Sequence, residues 1–492
     1  MKQSVRYYRL FALTTALFTG TMLQAQDYDK IFEDFNTESV QSFEQFKNKA
    51  DSEFESFLRE SWKAFEAQPA IPVPSRPEPP KPVVFDKNAP TPPISKIKVP
   101  EKTSTPTPQP PVVPIVPPKV EPTYKPTQKE ISFYGNTISI DIAAILSLKL
   151  QGISENDIAD AWKEVCKRPY EKLISDCIAI KEQYDLPDWG YLLLTHEIGE
   201  QLYSKNRSNE ITFMQMFILC KSGYKAKLAK IDNRLKLMVA TDGTIYATPY
   251  LRLDGDKYYV YNPAPNCSNQ IYTYRKNFSD AKNQVSLAIR TTPKFAAQDY
   301  EREISATVTD TKGKEQKVTC RTRVNTNLIH FFADYPQCDV PTHYRTPLST
   351  ELEQSLYPTL KELISGKTQA DAANLLLTFV QNAFSYQTDD QQFGYEKPFF
   401  ADEVFYYPYC DCEDRAMLYS NLVSKLIGPE TVLLDYPGHI ASAVHFTETV
   451  NGDKVITPSG KEYLICDPTY IGAPIGRAME SYKSVSPDII VK

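Results

Sequence analysis

Very little in this chain points to a membrane or a nucleic acid. No run of lysine and arginine builds a basic face able to engage phosphates, which excludes nucleic acid as a partner. Beyond the first residues, no stretch approaches the roughly 18 apolar side chains of a spanning helix, so no membrane span is expected. No cysteine stands where a lipid could be attached after leader removal. Histidine and tryptophan are scarce, at 5 and 3 residues in 492, which shortens the search for catalytic bases. His196 opens the fragment HEIGE, but Glu200 stands where a zinc motif needs its second histidine. It reads as an ordinary helix residue, and the sequence requires no metal or organic cofactor.

What is present begins with an export signal over residues 1–25. Lys2, Arg6 and Arg9 supply positive charge, Leu10 to Leu23 form a short apolar stretch, and Ala25 offers a small residue for cleavage. The mature chain is expected near Gln26, in the periplasm, at the cell surface or secreted. Nine cysteines in an oxidising compartment permit disulfides, and the odd count leaves at least one thiol without an internal partner.

The composition shifts along the chain. Residues 26–68 hold 11 acidic and 5 basic side chains, as much net charge as the whole chain's −6. Phe43, Phe46, Phe54, Phe57, Leu58, Trp62 and Phe65 recur three or four apart there, which predicts one amphipathic helix for docking or self-association. Residues 69–128 contain 20 prolines; proline fixes φ and removes donors, so this segment reads as a semi-rigid, unpacked spacer. Globular pattern resumes near Ile131. Helices, one opened by Ser154 and Asp157, lead into strands up to residue 265. Period-two alternation over 266–345 predicts a small β domain with a hairpin turn at TDTKGKEQ, and 346–492 returns to helices and then strands.

The chemistry concentrates in YCDCEDRAMLYSNLVSKLIG, residues 409–428. Cys412 stands where an apolar helical pattern begins, and a disulfide, a metal clip or a catalytic nucleophile would each use a cysteine there. Downstream, GHIASAVHF reads as a strand carrying His439 and His445, and YLICDP as a strand ending at Asp467. Thiol catalysis needs this order. A helix N-terminus favours thiolate, a neighbouring imidazole takes and returns the proton, and a carboxylate orients the imidazole. His439 and His445 are six apart, so period-two alternation puts both on one strand face and does not choose between them.

The combination DCEDRAMLYSNLVSKLIG, GHIASAV and YLICDPTY resembles the transglutaminase-like superfamily, related in fold to papain-like cysteine proteases. The resemblance covers roughly residues 346–480. It implies Cys412 as nucleophile, His439 as base and Asp467 as orienting acid, acting on a polypeptide or peptide substrate. Crosslinking transglutaminases flank the thiol with tryptophans, whereas Trp62, Trp162 and Trp189 all lie far upstream. Hydrolysis is therefore favoured over transfer to an amine; a non-catalytic binding or scaffold protein is the alternative from another class. The main-chain N–H of Cys412, with Tyr406 or Tyr407, is expected to form the oxyanion site. Asp411, Glu413 and Asp414 read as charges stabilising a helix N-terminus. Some related bacterial proteases bind calcium at a similar acidic signature, which is the lesser reading. Cys410 and Cys466 are expected as buried thiols, with a bridge between them as the rival.

The two halves echo each other. Gly223 to Asn262 and Gly428 to Asp467 both span 39 residues, and KYYVYNP answers EYLICDP. Residues 129–265 therefore read as a degenerate copy of the catalytic unit, with Arg207 in place of Cys412 and Asn262 in place of Asp467. The expected architecture is α+β: a transglutaminase-like C-terminal domain, preceded by its degenerate copy and a small β domain.

Overall fold

The computed structural model describes residues 45, 47–74, 81–88, 93–100, 124–203, 205–265 and 268–492. The expected leader, the start of the acidic segment and residues 101–123 lie outside them. Among the described residues, no helix is long and apolar enough to cross a membrane.

The first half opens with helix α1 (47–58) and strand β1 (Lys63–Glu66); strand β2 (Lys96–Lys98) follows in the chain but joins the second half. A hairpin, β3 (Gln128–Phe133) and β4 (Asn136–Asp141), precedes helices α2 (Glu155–Cys166), α3 (Tyr170–Gln183), α4 (Asp188–Leu202) and α5 (Ser208–Lys221). The expected capping box opens α2, with Ser154 accepting the Asp157 N–H. Helix α5 carries Phe213, Met216, Phe217 and Ile218 around its circumference and is enclosed accordingly. Gly223 ends it at φ +92°, a conformation that strains any side chain, and turns the chain into the sheet. Strands β5 (Ala226–Ile231), β6 (Arg234–Ala240), β7 (Tyr250–Leu253), β8 (Asp256–Val260) and β9 (Gln270–Thr273) complete this half.

The second half repeats the plan. Hairpin β10 (Asp299–Thr309) and β11 (Glu315–Asn325) leads to helices α6 (Thr326–Ala333), α7 (Val340–Arg345), α8 (Thr350–Ile364) and α9 (Gln369–Ala383). Two-residue strands β12 (Ser385–Tyr386) and β13 (Tyr409–Cys410) flank the short helices α10 (Asp389–Gln392) and α11 (Glu403–Tyr406). Helix α12 (Cys412–Leu426) ends before Gly428, at φ +101°. Strands β14 (Glu430–Tyr436), β15 (His439–His445), β16 (Lys454–Ile456), β17 (Glu462–Cys466) and β18 (Asp488–Val491) follow. The five strands that each half contributes to its sheet run β9-β5-β6-β8-β7 and β18-β14-β15-β17-β16, every neighbouring pair antiparallel, with β1 added beside β9 and β2 beside β16 as sixth strands. Numbered within each half, the strand orders are identical. The internal repeat read from residue spacing is thus a repeat of topology, in a mixed α+β molecule.

Three expectations about organisation are corrected. Residues 266–345 form no separate β domain: β9 belongs to the first sheet, and the β10–β11 hairpin packs on α8 and α9 of the second half. Nor are residues 26–68 one helix. Helix α1 stops at residue 58, and the chain then adds β1 to the edge of β9. The apolar face expected to self-associate is covered by this chain, for Phe54 meets Trp162 at 4.8 Å and Phe278 at 5.5 Å, and Leu58 is fully buried. Finally, the described parts of the proline-rich segment are no unpacked spacer. Strand β2 pairs in parallel with β16, and the Val83 carbonyl and Phe85 N–H bracket Ile471. Apolar residues between the prolines suffice for this, since edge strands tolerate proline where no donor is needed.

Candidate active site

Helix α12 begins where it does because Asp411 and Asp414 form a reciprocal capping box. The Asp414 carboxylate accepts the Asp411 N–H at 3.4 Å and the Phe399 N–H at 2.8 Å. This makes Cys412 the first helical residue, among main-chain N–H groups that have no partner within the helix. Its Sγ accepts the Ile440 N–H at 3.2 Å and lies 3.4 Å from Glu413 Oε2. His439, which precedes Ile440, is the first residue of β15, and Ser442 one turn of pleat further ties that strand to α12 through the Ala416 carbonyl at 2.9 Å.

His439 Nε2 stands 2.8 Å from Asp467 Oδ2. With Nε2–H donated to the carboxylate, the Nδ1 lone pair remains as the basic site. Asp467 follows β17 directly, and its other oxygen accepts the Thr469 and Tyr470 N–H groups at 2.9 and 3.2 Å. The Tyr482 ring stacks on His439 at 5.1 Å. His439 and Asp467 are thus in contact, Cys412 Sγ lies against the main chain of the residue after His439, and all three residues are enclosed: Cys412 is 1 %, His439 2 % and Asp467 3 % exposed.

The remaining candidates sort by position. His445 ends the same strand, about 20 Å away at 3.3 Å per residue, and its Nδ1 contacts the Glu462 carbonyl at 2.8 Å. Sharing a face with His439 thus does not bring it to the thiol. Tyr406 packs on Tyr300, and Tyr407 on Phe393 and Phe399. The eight described cysteines are free thiols; Cys410 lies against the Ser385 carbonyl and Cys466 against that of Leu464, with no bridge between them. Burial pushes Cys410 up to about 11 and Cys466 up to about 12. Trp62, Trp162 and Trp189 all sit in the first half, packed on Tyr274, Phe54 and Tyr261 respectively.

Two features escaped the sequence. Asp389, on α10, converges on Asp411 and Glu413 with one carboxylate oxygen from each within 4.8 Å, all three residues buried. Burial, then Asp414 and Glu413, push Asp389 up to about 10, and burial raises Asp414 well above the carboxylate range. Three such oxygens could hold a hard divalent cation. Gln381, on α9, is the second: its amide binds the turn that carries Asp467. Nothing in the local sequence around either residue marks it, because each acts across a tertiary contact.

The first half preserves the scaffold of this site without its groups. Arg234 opens β6 as His439 opens β15, and the Leu235 N–H binds Asn209 Oδ1 at 2.9 Å where Ile440 binds the thiol. Arg207 precedes α5 and pairs with Glu210 at 3.3 Å, and Asn262 follows β8 at φ +50°. No family model, curated protein or solved structure matches this chain.

Proposed function

We propose that this chain is an exported, thiol-dependent amide hydrolase, acting on a peptide or isopeptide bond through Cys412, His439 and Asp467 on a transglutaminase-like scaffold. The observation that carries the reading is the 2.8 Å contact of His439 with Asp467 beside a cysteine that begins a helix. The Cys412 thiol gives its proton to His439 Nδ1, and the thiolate adds to the carbonyl carbon. The Cys412 main-chain N–H stabilises the oxyanion. His439 returns the proton to the departing nitrogen as the C–N bond breaks, leaving a thioester. Water, deprotonated by the same imidazole, then releases the acid and restores the thiol. The absence of tryptophan from the second half supports water over an amine as acceptor. Acyl transfer is the second reading.

An electrophilic thiol probe tests this on the folded protein. Cys412 should react far faster than Cys410, Cys320 or Cys466, whose thiols burial pushes up to about 11, 11 and 12. Uniform labelling across the cysteines, or a silent Cys412, would overturn the proposal.

A further inference from the structure

A cleft apart from the triad residues lies between the first half and the segment that follows α6. A cavity of about 820 Å³ opens between α4, the tip of the β3–β4 hairpin and the segment after β8. Trp189, Tyr134, Tyr261 and Tyr335 are among its lining residues. Trp189 on α4 lies 5.9 Å from Tyr261 and 6.2 Å from Tyr335, and Tyr134 at the hairpin tip meets Phe331 at 5.6 Å. Glu197 and Asp334 are the acidic side chains among its lining residues, and His196 lies beside them. Among the described lining residues there is no lysine or arginine, although Lys236 Nζ reaches the Asn262 carbonyl at the edge at 2.9 Å. Asp334 is held in place from two sides: its carboxylate accepts the Tyr134 hydroxyl at 2.7 Å, and its main-chain carbonyl accepts the Trp189 Nε1–H at 3.2 Å.

We infer that this cleft binds a lysine or arginine side chain presented by a polypeptide. The faces of Trp and Tyr carry negative charge density that attracts a cation, and aromatic rings together with two carboxylates, with no lysine or arginine among the described lining residues, favour ammonium or guanidinium over a neutral or anionic group. The volume falls within the roughly 300–1,000 Å³ of small-ligand sites and leaves room for the residues that flank a single side chain. Tyr134 holds φ +43°, a left-handed conformation that a tyrosine rarely adopts, and this backbone sets its ring at the lip of the cleft. Its lining includes none of Cys412, His439 and Asp467, so binding there does not depend on the thiol chemistry proposed above.

Calorimetry on the full mature chain tests it with three acetylated, amidated tripeptides: Gly-Lys-Gly, Gly-Arg-Gly and Gly-norleucine-Gly. One of the two basic peptides should bind with a stoichiometry of one, and the norleucine peptide roughly tenfold more weakly or worse. Asp334→Asn retains an acceptor for Tyr134, and Glu197→Gln keeps its shape; together they should weaken the basic peptide by roughly tenfold, with the melting temperature reporting an intact fold. Equal binding of norleucine, no heat from any peptide at millimolar concentration, or an unaffected double variant would each overturn the inference. Loss of probe labelling at Cys412 would overturn only the hydrolase.

Discussion

The side-chain amide of Gln381 donates to the main-chain carbonyl of Asp467 at 3.2 Å, from a helix 86 residues earlier in the chain. The same nitrogen reaches the carbonyls of Tyr470 and Ala473 at 2.9 and 3.0 Å, and Oε1 accepts the Gly472 N–H at 3.2 Å. One buried amide therefore closes the turn that presents the proposed orienting acid to His439.

Gln381→Leu keeps the volume and leaves those polar groups without a partner, at a cost of roughly 2–3 kcal/mol. The denaturation midpoint should fall accordingly. If Gln381 positions Asp467, the pH profile of Cys412 alkylation should change as well. A variant that is only less stable, with the wild-type profile, would make its role purely structural.

His439→Ala should slow alkylation of Cys412 by roughly a hundredfold, the scale of a lost general base. His445→Ala should leave it nearly unchanged, because that ring faces the Glu462 carbonyl and Tyr463 at the far end of β15. The opposite order of rates would transfer the base to His445.

Asp402 is fully enclosed, and both its oxygens accept the Ser349 N–H, at 3.3 and 3.0 Å. Burial pushes it from 3.8 up to about 7. A raised folded value means that the protonated form is favoured in the fold, so its contribution is complete below about pH 4 and is lost as pH rises through 7. Asp402→Asn cannot ionise. Relative to wild type, its stability should improve between pH 4 and pH 8 by up to roughly 4 kcal/mol. A difference that is flat with pH would show that Asp402 is ionised throughout.

The proline-rich strap should support the second half. Ile97 is 9 % exposed and packs with Val455 and Tyr463, and the Phe85 ring meets Tyr470 at 5.4 Å, in the turn held by Gln381. Ile97→Asp is expected to cost on the order of 2–3 kcal/mol through lost burial and an unpaired charge. Phe85→Ala should cost about 1 kcal/mol and alter the rate of Cys412 alkylation. Removal of residues 81–100 with no change in melting temperature or labelling would restore the reading of this segment as a passive spacer.

The spacing of apolar residues was enough to place α12, β14, β15 and β17 in order, because 3.6-residue and two-residue periods are local and the glycines at 223 and 428 mark both helix ends. Equal spacing in the two halves also made the repeat legible. The same local signals put Cys412 at a helix start and His439 at a strand start. What they left open was which strand lies beside which. Main-chain hydrogen bonds between strands carry no residue code, so β9 joins the first sheet and the β10–β11 hairpin packs on the second half although their period-two patterns are alike. Nor could alternation separate His439 from His445, since it records a face and not a distance along it. Asp389 and Gln381 reach the site only through folding of distant segments, and apolar residues among prolines dock wherever an open sheet edge is in reach. The sequence by itself determined the elements and the chemical groups they carry; the tertiary structure decided their neighbours, because strand pairing and side-chain convergence depend on contacts between residues far apart in the chain.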